Sequence, residues 1–300
     1  MDSILLLGVN SYLGASYLKY LTAKPDCRMV GVSRKGIGGI DSETKENLQL
    51  VTCDLFDVPS LTSIIINSKP DVIINFAAKL GAAEDSKDYN EALANSISQA
   101  ITRAETPCKV IHIGSAAEYS PNLSGTFSED CASGGLSTYG KSKWRQWKAF
   151  EGGLTNSSHR LLGLRVFNVI APEMDERFLI STVARQVKSG SEIITLGALG
   201  SVRDYVDIRD VMSAIYMAQC SDLSGTFYNV CSGSAYSVMQ IVDAFSIVTG
   251  RELHVESVSE RKRVEDVSVA VGCRARIGRD LGWSPKFGLL DSVTMLMECE

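Results

Sequence analysis

The sequence predicts a doubly wound α/β fold, built on a parallel sheet, for the first half of the chain. Two observations predict it: short apolar runs alternate with segments of helical periodicity, and the runs are apolar throughout rather than at every second residue. A parallel strand covered by helices on both faces has this continuous apolar character. Strand–helix alternation in turn favours parallel strands with helices on either side of the sheet.

The elements of the first half follow from the same patterns. A helix is predicted after the first strand because Leu13, Tyr17, Leu18 and Leu21 recur at helical spacing, and it should end before Pro25. A second helix is expected from about Tyr89 to Ala104. The predicted strands are Ile4–Leu7, Met29–Val32, Leu48–Val51, Val72–Phe76 and Val110–Ile113.

After about residue 165 the pattern becomes mixed, which predicts a smaller C-terminal α/β lobe. We expect the first domain to comprise residues 1–165 with about 207–230 returning to it, and the lobe about 166–206 and 231–300. The helices predicted there are Glu176–Ser189, Val211–Cys220, Val238–Val248 and Leu289–Met297, and the strands are Ile193–Leu196, Phe227–Val230 and Leu253–Val258.

Composition excludes several classes of protein. The 300 residues carry 30 Lys+Arg against 35 Asp+Glu, a net charge of −5 with no basic run, so nucleic-acid binding is not expected. No apolar stretch approaches the ~18 residues of a membrane helix. The first residues, MDSILLLG, read as a strand, since a signal peptide has a charged start and a longer apolar run. No membrane partner is therefore expected.

The eight cysteines are scattered without a CxxC pair, and the three histidines stand apart from them, so no metal site is expected. Several of these cysteines, such as Cys53 and Cys231, lie in apolar runs, where a free thiol behaves as a small hydrophobic group. We expect a cytoplasmic location.

The turn after the first strand, Gly8-Val-Asn-Ser-Tyr-Leu-Gly14, predicts a dinucleotide-binding loop. Glycines at such a turn let a pyrophosphate approach the N-terminus of the following helix. Ser11 stands where a GxxGxxG pattern has its middle glycine, and a plain strand–helix turn explains the spacing equally well. The candidate cofactor contacts here are Gly8, Asn10, Ser11, Tyr12, Leu13 and Gly14.

The end of the second strand carries Ser33, Arg34 and Lys35, where an NAD-preferring site has an acidic residue for the ribose 2′-hydroxyl. A hydroxyl and two cations suit a 2′-phosphate instead. The segment therefore favours NADP(H), with NAD(H) possible and a solvated basic turn as the alternative.

Further candidate cofactor contacts follow the third and fourth strands, because ligands of open α/β sheets bind at the carboxyl ends of strands. An acidic side chain there can accept from an adenine amino group, and small residues leave room for a flat ring. These candidates are Asp54, Leu55, Phe76, Ala77, Ala78 and Lys79.

The strongest group of residues is Ser115, at the end of the fifth strand, with Tyr139 and Lys143 in Tyr139-Gly-Lys-Ser-Lys143. The tyrosine and lysine are four residues apart on a predicted helix and share one face. A nearby ammonium stabilises a phenolate and should lower the pKa of Tyr139 from ~10. A carbonyl held between Ser115 and Tyr139 is polarised for hydride attack, and Tyr139 gives the proton.

With these motifs the chain resembles the extended short-chain dehydrogenase/reductase family, the nucleotide-sugar epimerase, dehydratase and reductase group with a Rossmann-type domain. Ser115-Ala-Ala-Glu-Tyr119 and Leu164-Arg-Val-Phe-Asn168 match its motifs. Arg203-Asp-Tyr-Val-Asp-Ile-Arg-Asp-Val211 and Tyr228-Asn-Val-Cys-Ser-Gly233 resemble most its GDP-4-keto-6-deoxymannose reductases. The substrate-binding candidates that this resemblance implies are Ser115, Ala116, Glu118, Asn168, Arg203, Arg263 and Asp266.

Departures from the family pattern narrow the expected reaction. Dehydratases of this group follow the catalytic Ser/Thr with Asp-Glu, and the resemblance places Ala116 and Ala117 there. GDP-fucose synthases have a cysteine at the position of Ala117. What remains is reduction of the C4 keto group of a nucleotide-linked 4-keto-6-deoxyhexose by NAD(P)H.

Two other functions stay open. A 4-epimerase uses the same three residues with retained NAD⁺, and a non-enzymatic protein that senses NADP(H) would keep the fold alone. The resemblance also implies a homodimer through the helices around the Tyr–Lys pair.

Overall fold

The computed structural model describes residues 2–24, 27–35, 47–80, 88–120, 125–135, 137–155, 157–172, 174–197, 199–258 and 269–299. Its strands are β1 (Asp2–Leu7), β2 (Cys27–Ser33), β3 (Leu48–Thr52), β4 (Val72–Asn75), β5 (Lys109–Ser115), β6 (Gly125–Phe127), β7 (Arg160–Val166), β8 (Asn168–Ile170), β9 (Ile193–Leu196), β10 (Val202–Asp207), β11 (Thr226–Val230), β12 (Ala235–Ser237), β13 (His254–Ser257) and β14 (Val269–Gly272). Its helices are α1 (Tyr12–Thr22), α2 (Val58–Ser68), α3 (Tyr89–Ala104), α4 (Thr138–Leu154), α5 (Leu179–Lys188), α6 (Ile208–Cys220), α7 (Val238–Thr249), α8 (Ala275–Leu281) and α9 (Leu289–Glu298).

The predicted α/β fold is confirmed by a seven-stranded sheet with the strand order β11-β7-β5-β4-β1-β2-β3. The pairs that join β3, β2, β1, β4 and β5 are parallel. The order reverses at β1, whose neighbours are β2 and β4. Such a reversal opens a crevice at the carboxyl ends of the strands, which is where this fold binds ligands.

The chain forms two compact units, of which the first comprises Met1–Glu118, Ser133–Arg165 and Ile215–Tyr228. Its core contains Leu5 and Ile73 from the sheet together with Ile97 and Phe150 from α3 and α4, all without exposed surface. Burial of each such side chain contributes roughly 1.5–3 kcal/mol. Helix α3 packs against both α2 and α4, so the fold anchors α4 firmly.

A buried lysine attaches the returning segment to the sheet. The Nζ of Lys109, at the start of β5, donates to the carbonyl and hydroxyl oxygens of Ser221, at 2.6 and 3.0 Å. Burial lowers the pKa of Lys109 to about 8, with Arg160 adding to that effect. The ammonium lies just beyond the C-terminus of α6, where the helix dipole favours a cation.

The second unit comprises Tyr119–Ala132, Val166–Ala214 and Asn229–Glu300. It holds a sheet of β12, β10, β14 and β6, with β8 paired to β10, and a separate pair of β9 and β13. A core of apolar side chains such as Ile194, Val242 and Phe245 lies among its helices α5, α7 and α9. Its segment Tyr119–Ala132 comes from a part of the chain that the sequence assigns to the first domain.

Several boundaries differ from the prediction. Helix α5 begins at Leu179 rather than at Glu176, and α6 begins three residues earlier than predicted, at Ile208. The sequence patterns did not reveal two of the helices, α2 and α8, or six of the strands, namely β6, β7, β8, β10, β12 and β14. Within the described ranges, no helix is both long and apolar enough to cross a membrane.

Candidate active site

The glycine loop owes its shape to two close approaches of backbone. Gly8 has a φ of +81°, and a Cβ on it would lie 2.7 Å from the backbone nitrogen of Ala77. A Cβ on Gly14 would lie 2.6 Å from the carbonyl oxygen of Gly8. Only glycine fits both positions, so the loop folds tightly against the end of β4.

Ser11 takes a defined role in place of the middle glycine. It is the N-cap of α1: its Oγ accepts from the backbone N–H of Gly14 at 3.1 Å and donates to the carbonyl of Gly8 at 2.9 Å. Tyr12 and Leu13 are the first residues of the helix, where N–H groups have no partner within the helix. A helix N-terminus facing a tight glycine turn suits a pyrophosphate, so these residues fit a dinucleotide.

The end of β2 is organised around the carbonyl of Lys35. The buried hydroxyl of Ser33 donates to it, and Asn10 donates its Nδ2 to the same oxygen at 3.1 Å. Ser33, expected beside a 2′-phosphate, is thus engaged in shaping the turn. Arg34 and Lys35 are exposed, which leaves the two cations beside the glycine loop.

The ends of β3 and β4 present a mixed surface. Asp54 is exposed and accepts from the backbone N–H of Phe56 at 3.1 Å, while Leu55 and Phe76 are buried. Ala77 is half-buried against Gly8. Exposed Ala78 and Lys79 follow it. The residues after β4 therefore lie next to the glycine loop, whereas Asp54 and Leu55 follow β3, at the edge of the sheet.

Helix α4 is set directly against the Ser115 segment. Ser137 caps it by accepting from the backbone N–H of Gly140, where a Cβ would lie 2.1 Å from the carbonyl oxygen of Ala117. This contact holds Tyr139, in the first turn, close enough for a hydrogen bond with Ser115. The structure thus brings Ser115, Tyr139 and Lys143 together, all within the first unit.

Burial raises the pKa of Tyr139 above its usual value, and Tyr12 adds to that effect, while the hydrogen bond with Ser115 opposes it. The expectation of a lowered value is therefore wrong for this state of the protein. The Nζ of Lys143 donates to the carbonyl of Ile113 at 2.9 Å and to the Oε1 of Gln146 at 2.6 Å. Burial lowers the pKa of Lys143 to about 8.

Glu118 forms a buried ion pair behind Ser115, in place of the expected substrate contact. Its Oε2 lies 3.0 Å from the Nε of Arg165, and both side chains are 2% exposed. Its Oε1 accepts from the backbone N–H of Ser115 at 2.7 Å. The guanidinium of Arg165 lies over the ring of Phe227, with its Cζ 3.5 Å from the centroid. Glu118 thus fixes the serine segment, including half-buried Ala116.

The substrate-binding candidates of the second half lie in the second unit or outside the described residues. Asn168 is exposed and donates its Nδ2 to the carbonyl of Asp204 at 2.8 Å. Arg203, on β10, is half-buried and donates to the carbonyl of Val202. The pairing of β8 with β10 places both residues in the same sheet. Arg263 and Asp266 lie outside the described residues.

His112 is a buried core residue. Its Nδ1 lies 3.3 Å from the Nδ2 of Asn75, and burial lowers its pKa well below the usual value, with Lys143 contributing. The imidazole is therefore neutral. In the parts of the chain that the structure describes, no three histidine, cysteine or acidic side chains group as metal ligands.

Two buried amides, which the sequence motifs above do not include, lie close to these residues. Gln146 has no exposed surface and donates to the carbonyl of Ala77 at 2.9 Å. Asn90, also buried, accepts from the N–H of Lys79 at 2.8 Å and donates to the Oγ of Ser142 at 2.7 Å. The spacing of Gln146 three residues after Lys143 was the available signal, because such residues share a helix face.

Comparisons with known proteins identify the family and agree with the fold. The model of the NAD dependent epimerase/dehydratase family matches residues 4–231. GDP-6-deoxy-D-mannose reductase of Pseudomonas aeruginosa is 28% identical over 51% of this chain and 50% of its own length, so the match spans about half of that relative. GDP-6-deoxy-D-talose 4-dehydrogenase of Aggregatibacter actinomycetemcomitans is 23% identical over 95% and 92%. UDP-glucuronic acid 4-epimerase of Bacillus cereus, solved with NAD, shares the fold with a TM-score of 0.87 and 19% identity over 98% of each chain.

Proposed function

Since the chain belongs to the NAD-dependent epimerase/dehydratase family, we propose that it is an NADPH-dependent reductase of the C4 keto group of a nucleotide-linked 4-keto-6-deoxyhexose. The observation that carries the proposal is the gathering of Ser115, Tyr139 and Lys143 beside the glycine loop, with alanines at positions 116 and 117. Elimination of water needs an acid and a base there, whereas reduction does not. Relatives named as a reductase and a 4-dehydrogenase of 6-deoxyhexoses support this choice.

Ser115, Tyr139 and Lys143 each have a separate role in the proposed reduction. The Oγ of Ser115 accepts from the N–H of Ala117 at 3.2 Å, so its hydroxyl hydrogen is directed elsewhere and can bond a ketone oxygen. The nicotinamide cofactor, when bound, supplies the hydride. Tyr139 donates the proton to the developing alkoxide, and its raised pKa keeps it protonated at neutral pH. The positive charge of Lys143 stabilises the phenolate that remains.

The direct test is consumption of NADPH with 4-keto-6-deoxyhexoses linked to GDP, dTDP, CDP and UDP. The GDP-linked sugar comes first, because two relatives act on GDP sugars by name. We expect turnover with one nucleotide, and a product carrying a C4 hydroxyl by NMR. Absence of turnover with all four would overturn the proposal.

Cofactor preference is tested at the exposed cations after β2. We expect Arg34→Ala with Lys35→Ala to weaken NADPH binding about tenfold to a hundredfold and NADH binding little, because only NADPH carries the 2′-phosphate. Fluorescence titration of both cofactors measures the two affinities. Exposed Lys19→Ala, on α1, is the control for loss of charge alone. Equal losses of affinity for NADPH and NADH would indicate that the two cations do not bind the 2′-phosphate.

A 4-epimerase is the second candidate, because solved structures with this fold include 4-epimerases with bound NAD. The same serine, tyrosine and lysine would then act in both directions on a retained cofactor. Mass spectrometry of the freshly purified protein distinguishes the two: stoichiometric NAD⁺ favours the epimerase, and readily exchanged NADP(H) favours the reductase.

We propose a homodimer formed through α3 and α4, as the family resemblance implies. The two helices pack side by side in the first unit and carry exposed polar side chains, including Asn95 and Arg103. Light scattering after gel filtration tests it: a dimer mass is expected, and a monomer at micromolar concentration would overturn it.

A further inference from the structure

Gln146 occupies an unusual place between the catalytic lysine and the cofactor side of the sheet. It has no exposed surface, and both ends of its amide are used. Its Oε1 accepts from the Nζ of Lys143 at 2.6 Å, and its Nε2 donates to the carbonyl of Ala77 at 2.9 Å. A buried amide with both ends bonded fixes two partners relative to each other.

Each partner lies at one of the two functional regions. The ammonium of Lys143 is held against the carbonyl of Ile113, two residues before Ser115. Ala77 contacts the first glycine of the dinucleotide loop, since a Cβ on Gly8 would lie 2.9 Å from the Cβ of Ala77. A single side chain thus joins the catalytic lysine to the backbone that packs against the glycine loop.

We infer that Gln146 is a positioning residue for Lys143, which holds the ammonium at the carboxyl end of β5 with its amide oxygen and ties that position to the cofactor-side loop with its amide nitrogen. The inference rests on the proposed function for its catalytic meaning. Its structural content, a lysine held by an amide acceptor, is testable without any substrate.

The titratable groups around Lys143 determine whether its pKa should rise or fall in each variant. Burial lowers the pKa of its ammonium to about 8, and the carboxylate of Glu118 acts in the opposite direction. His112, on β5, is neutral, and Tyr139 lies one helical turn before the lysine on the same face. Removing an acceptor disfavours the ammonium further, whereas adding a negative charge favours it.

The test is titration of the side-chain nitrogen of Lys143 by NMR in protein labelled with ¹⁵N-lysine, with the signal assigned by its loss in Lys143→Met. We expect the titration midpoint to fall by about one pH unit in Gln146→Met and to rise by a similar amount in Gln146→Glu. Gln49→Met, an exposed glutamine on β3, should leave it unchanged. A shift of both Gln146 variants in the same direction, or none, would overturn the inference.

The affinity for NADPH tests the role of the Gln146 amide nitrogen, which donates to Ala77. Both Gln146→Met and Gln146→Glu lose the donor to Ala77, so we expect NADPH to bind roughly three- to tenfold more weakly to each. An unchanged affinity in both would overturn the tie to the loop. Thermal unfolding verifies that the variants fold, and the glutamate variant preserves the size of the side chain. If the two Gln146 variants shift the Lys143 titration in opposite directions but the unsubstituted protein shows no turnover, only the proposed function is refuted.

Discussion

Replacing Tyr139 with phenylalanine should stop turnover while leaving cofactor binding intact. In the proposed reaction the phenol is the proton donor to the developing alkoxide, and its hydrogen bond with Ser115 helps to orient both groups. Phenylalanine keeps the ring and its packing but has no proton to give. General acid catalysis of this kind contributes about 10²–10⁴ in rate, and we expect a loss of kcat about 10³-fold.

The measurement is NADPH consumption by the variant with the sugar that the parent reduces, together with fluorescence titration of NADPH. Tyr20→Phe, which removes a hydroxyl from α1, is the matched control and should retain full activity. Turnover within tenfold of the parent would show that another group donates the proton. Lost cofactor binding would mean instead that the hydroxyl holds the cofactor site together.

Replacing Arg165 with methionine should destabilise the protein by about 3–5 kcal/mol, the cost of leaving a buried charge without its partner. The pair of Arg165 with Glu118 is 2% exposed on both sides, so water cannot replace the guanidinium. Methionine keeps the aliphatic part of the side chain but not the guanidinium that lies over Phe227, so part of the loss comes from packing. Equilibrium unfolding in urea measures the change, with Arg160→Met as the control. Arg160 forms an exposed pair with Asp222, and its loss should cost less than about 1 kcal/mol.

A second substitution identifies the cause. Without the guanidinium, the carboxylate of Glu118 loses its ion-pair partner while it stays buried, and this uncompensated charge is the source of the expected loss of stability. Adding Glu118→Gln removes the charge and should restore much of the stability. A loss that is unaffected by Glu118→Gln would point to packing alone.

The first half of the fold was predictable because its strands are buried on both faces. All five strands predicted there begin and end within two residues of the observed ones, and α3 spans Tyr89–Ala104 as predicted. In the second unit, short strands such as β8 and β14 depend on partners distant in sequence. No local pattern encodes those pairings, and the sequence analysis did not predict them.

The candidate site likewise contains features that local motifs revealed and features that they did not. The glycine loop, Ser115 and the Tyr–Lys spacing were found from local motifs, because helix and turn geometry alone places their residues. The roles of Ser11 and Glu118 were not, since each depends on a hydrogen bond whose partner the motif does not name. Ser11 caps α1, and Glu118 pairs with Arg165, 47 residues away.

The sequence by itself determined the fold class and the family resemblance and predicted the residues of the candidate site, because hydrophobic periodicity and motif spacing are local properties of the chain. Only the tertiary structure decided their electrostatic state. In the folded protein, burial raises the pKa of Tyr139, and the ammonium of Lys143 donates hydrogen bonds to Ile113 and Gln146. Burial and hydrogen-bond partners depend on which segments, distant in sequence, pack together in the fold. The free energy of a charged group is set by these tertiary contacts rather than by its neighbours in sequence.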